Sequence, residues 1–307
     1  MRYAIRIPGF ERSWLYATCR EDGRPSAPDT AIVFVHGFLG DSEETWQGFP
    51  QLLPRDPWWD KADLYFLKYS SFRPSVEECT GPLLTLLGQI RQPPEEWFTV
   101  PPESFHPMIR DVFPRVALPR TPTRYSNLIV VGHSMGGLVT RLAALDLGRE
   151  YRQAVAAARS AGRVEEEAPW LLHATLRLFA PALTGARPAG LLGLALVLGG
   201  IKHVAQALLG FSRSYQDMEK PTIPDGIRTQ TAEVMAGALQ SLPGFRADVL
   251  WADADDVVSD AVVYTGDHVA RKAPDAPAGR KTNHRTVCKP TADYQTPLTF
   301  VRYGRRT

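Results

Sequence analysis

Cysteine is scarce in this chain. Cys19, Cys79 and Cys288 stand far apart in 307 residues. Their odd number and spacing suit neither a disulfide framework nor a metal-ligand set. Reduced, buried thiols are expected, which suits a cytoplasmic location. The first eight residues, MRYAIRIP, lack the apolar core of a signal peptide and point the same way. Excess charge is missing too, because the net value is only +2, so nothing argues for a nucleic-acid partner. Arg302, Arg305 and Arg306 read as a solvated basic tip. Long apolar runs are also lacking. Residues 189–201 (AGLLGLALVLGGI) are apolar or small, but a spanning helix needs about 20 such residues. Lys202, His203 and Gln206 interrupt the continuation. A buried helix, or a lid facing apolar ligands with at most peripheral membrane contact, is the expectation there.

What is present is ordinary for a globular chain: 44% hydrophobic and 22% charged residues. The length suits one domain, 1–307, with an insertion. Strands alternate with helices, which predicts an α/β fold with a mostly parallel sheet covered on both faces. Residues 31–35 (AIVFV) are a continuous apolar run, as expected of a strand buried on both sides. Further strands are predicted at 64–67, 128–131, 176–179 and 248–251. Leu83, Leu84, Leu86, Leu87 and Ile90 fit a helix over 82–90. Leu138, Leu142 and Leu145 share one face of a helix over 136–147. Two stretches break the alternation. Residues 92–122 are rich in proline and aromatics, and 148–225 read as an inserted cap or lid.

The chemistry begins at Gly132-His133-Ser134-Met135-Gly136. Serine is a weak nucleophile until a base takes its proton and donors receive the oxyanion. A strand ending at Val131, a tight turn at Ser134 and a helix starting at once would present that hydroxyl. The flanking glycines permit the turn because a side chain there would clash with the neighbouring strand and helix. Upstream, Val35-His36-Gly37-Phe38-Leu39-Gly40 follows the first buried strand. This loop resembles the oxyanion loop of α/β-hydrolases, and the resemblance implies that the backbone N–H groups of Phe38 and Met135 receive negative charge, with His36 holding the loop. Downstream, the sequence at 251–258 is WADADDVV. In α/β-hydrolases the acid often stands three residues before a valine, a register that Asp255 resembles with Val258; Asp256 is the near alternative and Asp253 a poorer one. Of the seven histidines, only His268 and His284 follow these acids. His268 is close for an intervening helix and strand, so His284, in a polar loop, is favoured as base. His106, His173 and His203 come too early. No metal or organic cofactor is required by this set.

These motifs resemble the lipase and serine-esterase branch of the α/β-hydrolases. Residues 128–141 (LIVVGHSMGGLVTR) are similar to that branch's nucleophile signature. Residues 283–290 (NHRTVCKP) resemble the histidine segment of serine esterases related to serine-active-site-containing phospholipid-remodelling proteins and inositol deacylases. Tyr69-Ser70-Ser71 suits the same branch. One difference stands out: residues 179–185 read FAPALTG, where members often carry Thr-Pro-His. The resemblance implies an α/β-hydrolase fold with a helical lid and a Ser134, Asp255, His284 triad. Its substrate would be a small-molecule or lipid-like acyl ester. An acyltransferase using the same acyl-enzyme is an alternative, and so is a binding protein that keeps the fold without turnover. Oligomeric state is not legible.

Overall fold

A computed structural model describes residues 2–10, 12–18, 28–52, 57–98, 124–164, 167–187, 212–219, 222–236, 238–258, 268–270 and 281–304. In chain order the strands and α-helices are β1 Arg2–Arg6, β2 Trp14–Thr18, β3 Thr30–Val35, α1 Phe49–Leu52, β4 Ala62–Leu67, α2 Thr80–Ile90 and β5 Asn127–His133. There follow α3 Met135–Ser160, β6 Thr175–Phe179, α4 Arg213–Glu219, α5 Thr222–Met235, β7 Ala247–Leu250, β8 His268–Ala270 and α6 Thr296–Tyr303. The eight strands form one sheet in the order β1-β2-β4-β3-β5-β6-β7-β8. From β4 to β8 every pairing is parallel, and only the β1–β2 and β2–β4 pairings are antiparallel.

The centre of the sheet follows from its sequence. Every residue of β3 is buried, as is every residue of β4. A strand covered on both faces needs apolar side chains in both directions, which is why β3 reads as an unbroken run rather than an alternation. In α3, Leu138, Leu142 and Leu145 are buried on the inner face. Each such side chain contributes about 2 kcal/mol of hydrophobic stabilisation. Helix α3 packs against β5, α2 and α5.

Topology then selects where a site can lie. From β3 the chain crosses to β4 on one side and later to β5 on the other. In open parallel sheets such a reversal opens a crevice beyond the carboxyl ends of the strands. The register aligns those ends, pairing Val35 with Gly132, His133 with Phe179, and Phe179 with Leu250.

The stretch 148–225, expected as one insertion, is divided. Residues 148–160 complete α3, and β6 lies within the core sheet between β5 and β7. Gly148 lies inside this helix, where an added Cβ would be 2.5 Å from Cζ of Phe245. A glycine that reads as a helix end is here a packing requirement. After β6, α4 and α5 remain as the described α-helices before β7. The apolar 189–201 segment lies outside the described residues, as do 99–122 of the proline-rich stretch. Among the described residues no helix is long and apolar enough to cross a membrane. The hairpin β1–β2 and the terminal helix α6 add to the elements expected from sequence.

Candidate active site

Ser134 follows β5 and opens α3 with φ 53° and ψ −123°. Few non-glycine residues hold this backbone conformation, whose strain costs about 1–3 kcal/mol and persists only where the surroundings impose it. Here they do. A Cβ on Gly136 would lie 2.1 Å from the Val35 carbonyl oxygen, and one on Gly132 would lie 2.8 Å from Gly137 Cα. The Ser134 N–H donates to Phe179 O, and Ser134 O accepts from Gly137 and Ala182. Strand, turn and helix are thus clamped together. The side chain is 1% exposed, and its Oγ forms no hydrogen bond with any described residue.

The loop after β3 lies directly against this turn, since a Cβ on Gly37 would be 2.8 Å from Ser134 Cβ. Gly40 N–H donates to Gly37 O at 3.0 Å, closing a tight turn in which Leu39 has φ 54°. Such a φ is one that leucine adopts at a cost of about 1–2 kcal/mol. The amides of Phe38 and Met135 donate to no described residue. His36 braces the loop from beneath. Its Nδ1–H donates to Gly37 O at 2.8 Å, and its Nε2 accepts Tyr69 N–H at 3.3 Å. The Tyr69 hydroxyl donates to His36 O at 2.6 Å, and the two rings stack with centroids 4.3 Å apart. Burial, followed by the charge of Lys68, lowers the His36 pKa to about 4. The imidazole is therefore neutral at pH 7, with its proton on Nδ1.

On the other side of the turn, His284 and Asp255 meet. His284 Nδ1 lies 2.9 Å from Asp255 Oδ2, with the side chains 1% and 4% exposed. Asp255 Oδ1 accepts the N–H groups of Val257 and Val258, both at 2.9 Å. Burial alone would raise the Asp255 pKa. The His284 contact and the two amides outweigh burial and hold it below the ordinary carboxylate value. Asp256 is exposed, and the Asp253 N–H donates to Thr282 Oγ1. His268 opens the edge strand β8 level with Asp248 on β7, at the end of the strand away from the crevice. His173 is exposed, while His106 and His203 lie outside the described residues. The structure therefore brings Asp255 and His284 together, and not the alternatives.

Sequence reasoning passes over His133, the residue just before the serine of the turn. Its Nε2–H donates to the His284 carbonyl at 2.7 Å, and the two rings lie 4.9 Å apart. Burial, then the neighbouring His284, pushes its pKa down to about 3. A neutral His133 next to Ser134 thus fixes the backbone of His284. Thr282 fixes the acid loop in turn, with its Oγ1 accepting Asp253 N–H and its carbonyl accepting Ala254 N–H. The Asn283 side chain caps the turn after His284 by accepting the N–H groups of Arg285 and Thr286. The His133 and Thr282 contacts span 151 and 29 residues of chain and leave no local sequence signal.

His284 Nε2, like Ser134 Oγ, is buried without a hydrogen-bond partner among the described residues. Two buried polar atoms left open are costly unless something else engages them. Beside Ser134 is a cavity of about 40 Å³, walled by Gly37, Phe38, Leu39, His133, Arg285 and Lys289 among others. A larger hollow of about 860 Å³ shares Leu39 and Gly40 with it and includes Phe10, Tyr69 and Phe72. A serine hydroxyl, an oriented imidazole, a carboxylate and two open amides around one crevice have the makings of acyl transfer.

No protein-family model matches the chain, and no curated protein matches it. Solved structures do. The lipase BlEst2 of Bacillus licheniformis, in its mature form, is 14% identical over 96% of this chain and 99% of that one, with a TM-score of 0.50. The propeptide form of the same lipase is 15% identical over 98% of this chain and 56% of that one, at 0.49. Carboxyl esterase 2 of the fungus Tuber melanosporum is 11% identical over 98% and 82%, at 0.44. At such identities the likeness to the mature lipase carries the fold alone: this is an α/β-hydrolase fold.

Proposed function

We propose that the protein is a serine hydrolase that cleaves carboxylic esters through an acyl-enzyme on Ser134. The observation that carries this reading is the buried His284–Asp255 contact of 2.9 Å set beside a strained, buried Ser134. In the proposed reaction His284 Nε2 takes the Ser134 proton as Oγ attacks the carbonyl carbon. Asp255 keeps the other imidazole proton on Nδ1 and stabilises the imidazolium that forms. The Phe38 and Met135 amides receive the developing oxyanion, where each such donor contributes about 3 kcal/mol. Protonated His284 then gives its proton to the departing alcohol. Water, activated by the same imidazole, releases the acid and restores Ser134. His133 acts as a positioning residue, holding the His284 main chain.

Phe38 and Leu39 support an apolar acyl group. The small cavity takes the first atoms of such a group, and a longer chain continues over Leu39 toward the larger hollow. An alkyl fluorophosphonate should label wild-type protein at Ser134 and leave Ser134→Ala unlabelled. Absence of labelling in the wild type, or equal labelling of both, overturns the reading. In a series of nitrophenyl esters, medium acyl chains should outpace acetate. A sharp preference for acetate removes the apolar-acyl part.

A further inference from the structure

Two cations face the nucleophile cavity and are not used in the proposed reaction. Arg285 and Lys289 both line it, together with Ser134 and His133. Both are half-buried. Neither has an ion pair or side-chain hydrogen bond with a described residue. Two basic side chains lining one wall of a crevice, with no described acid paired to either, give it a local positive field that favours an anion.

The acids on the same wall do not supply that counter-charge. Asp41 is engaged by Lys68 Nζ at 3.2 Å and by the Glu43 N–H. Lys68 and Asp41 therefore cancel each other. Glu44 is exposed and offsets at most one of the two cations, through solvent. Asp255 is occupied by His284.

The place of these cations in the chain gives the side of the substrate. Arg285 follows His284 directly, in the turn capped by Asn283, and Lys289 lies at the end of the same loop. On the hydrolase reading, His284 delivers its proton to the leaving oxygen, so this loop borders the alcohol portion of the ester. We infer that Arg285 and Lys289 form a subsite for an anionic group, phosphate-, sulfonate- or carboxylate-like, on that alcohol portion. With Phe38 and Leu39 on the acyl side, the substrate class is an amphiphilic ester: an apolar acyl group on a negatively charged alcohol. This rests on the proposed hydrolase reading for its orientation, but the binding of the anion does not depend on turnover.

The test separates the two. Binding of 4-hydroxybenzenesulfonate and of its neutral sulfonamide analogue is measured by calorimetry on Ser134→Ala protein at low salt. The anion should bind about tenfold tighter, and the gap should close as salt is raised. The gap should vanish in the added Arg285→Gln/Lys289→Gln change and reverse sign in Arg285→Glu/Lys289→Glu. Arg228→Gln, on α5 and 62% exposed, should leave it in place. Equal binding of the two probes, or a gap that survives charge reversal, overturns the subsite even if fluorophosphonate labelling succeeds. On active wild-type protein, the acetyl esters of the same two phenols should show the same preference in kcat/KM. If nitrophenyl hemisuccinate gains over nitrophenyl butyrate and the sulfonate ester gains nothing, the anion sits on the acyl side and the assignment falls.

Discussion

The two halves of the site are built by different means. The elbow and the loop after β3 are fixed by main-chain crowding. Glycines at 37, 132 and 136 let three backbones approach within distances no side chain would permit. The acid and histidine loops are fixed by hydrogen bonds between segments distant in sequence, such as His133 to His284 O and Thr282 to the amides of Asp253 and Ala254. Crowding tolerates no alteration of the residue concerned, whereas a hydrogen-bonded half holds its shape but depends on which atom carries each proton. The first half should therefore fail by unfolding, and the second by losing chemistry while staying folded.

The largest effect expected is in the second half. Asp255→Asn keeps the shape of the side chain but reverses the proton preference at His284 Nδ1. It should cut kcat about 10⁴-fold, or about 5 kcal/mol, with little change in the unfolding midpoint. Asp256→Asn, on an exposed neighbour, should stay within about twofold of wild type. Comparable losses in both variants would remove the distinction between these acids. In the first half, Gly136→Ala forces a Cβ to 2.1 Å from Val35 O and 2.5 Å from His36 O. It should cost about 3 kcal/mol or more, read as a lower urea midpoint. Gly81→Ala is the counter-test, because nothing lies within 4 Å of its added Cβ. It should leave the midpoint nearly unchanged.

A pH titration compares the halves through their histidines. His36 and His133 have pKa values lowered to about 4 and about 3 in the folded protein. Unfolded histidine titrates near about 6.5. Between those values the unfolded chain binds protons that the folded one refuses, so stability is full above about pH 6.5 and falls as pH drops toward the folded values. The combined loss by about pH 4.5 should be a few kcal/mol, checked by urea unfolding at several pH values. His133→Gln should make the decline shallower, and a profile flat from pH 7 to pH 4.5 would contradict the burial of both rings.

The same division explains what could be read from sequence. The nucleophile turn and the β3 loop were legible because crowding leaves a contiguous trace, glycine beside serine at the end of an apolar run. The central strands were legible for a related reason: burial on both faces gives continuous apolar and aromatic runs at 31–35 in β3 and 64–67 in β4. The acid was ambiguous because Asp253, Asp255 and Asp256 share one local context. Only the Val257 and Val258 amides and His284 single out Asp255. His133 carried no signal, since its partner is a main-chain carbonyl 151 residues away. The length of α3 was concealed by Gly148 and by the polar outer face beyond it, and the β1–β2 hairpin by strands that lack a clear alternation.

That separation has a consequence in time. The elbow needs β3, β5, α3 and the Phe179 and Ala182 main chain, and the chain must grow by 151 residues beyond His133 before His284 exists. At roughly 5–20 residues per second, the interval is about 8–30 s. During it the emerging polypeptide displays a serine hydroxyl without its imidazole. On the proposed hydrolase reading, such a chain lacks its base, and competence toward esters waits for the segment that carries His284.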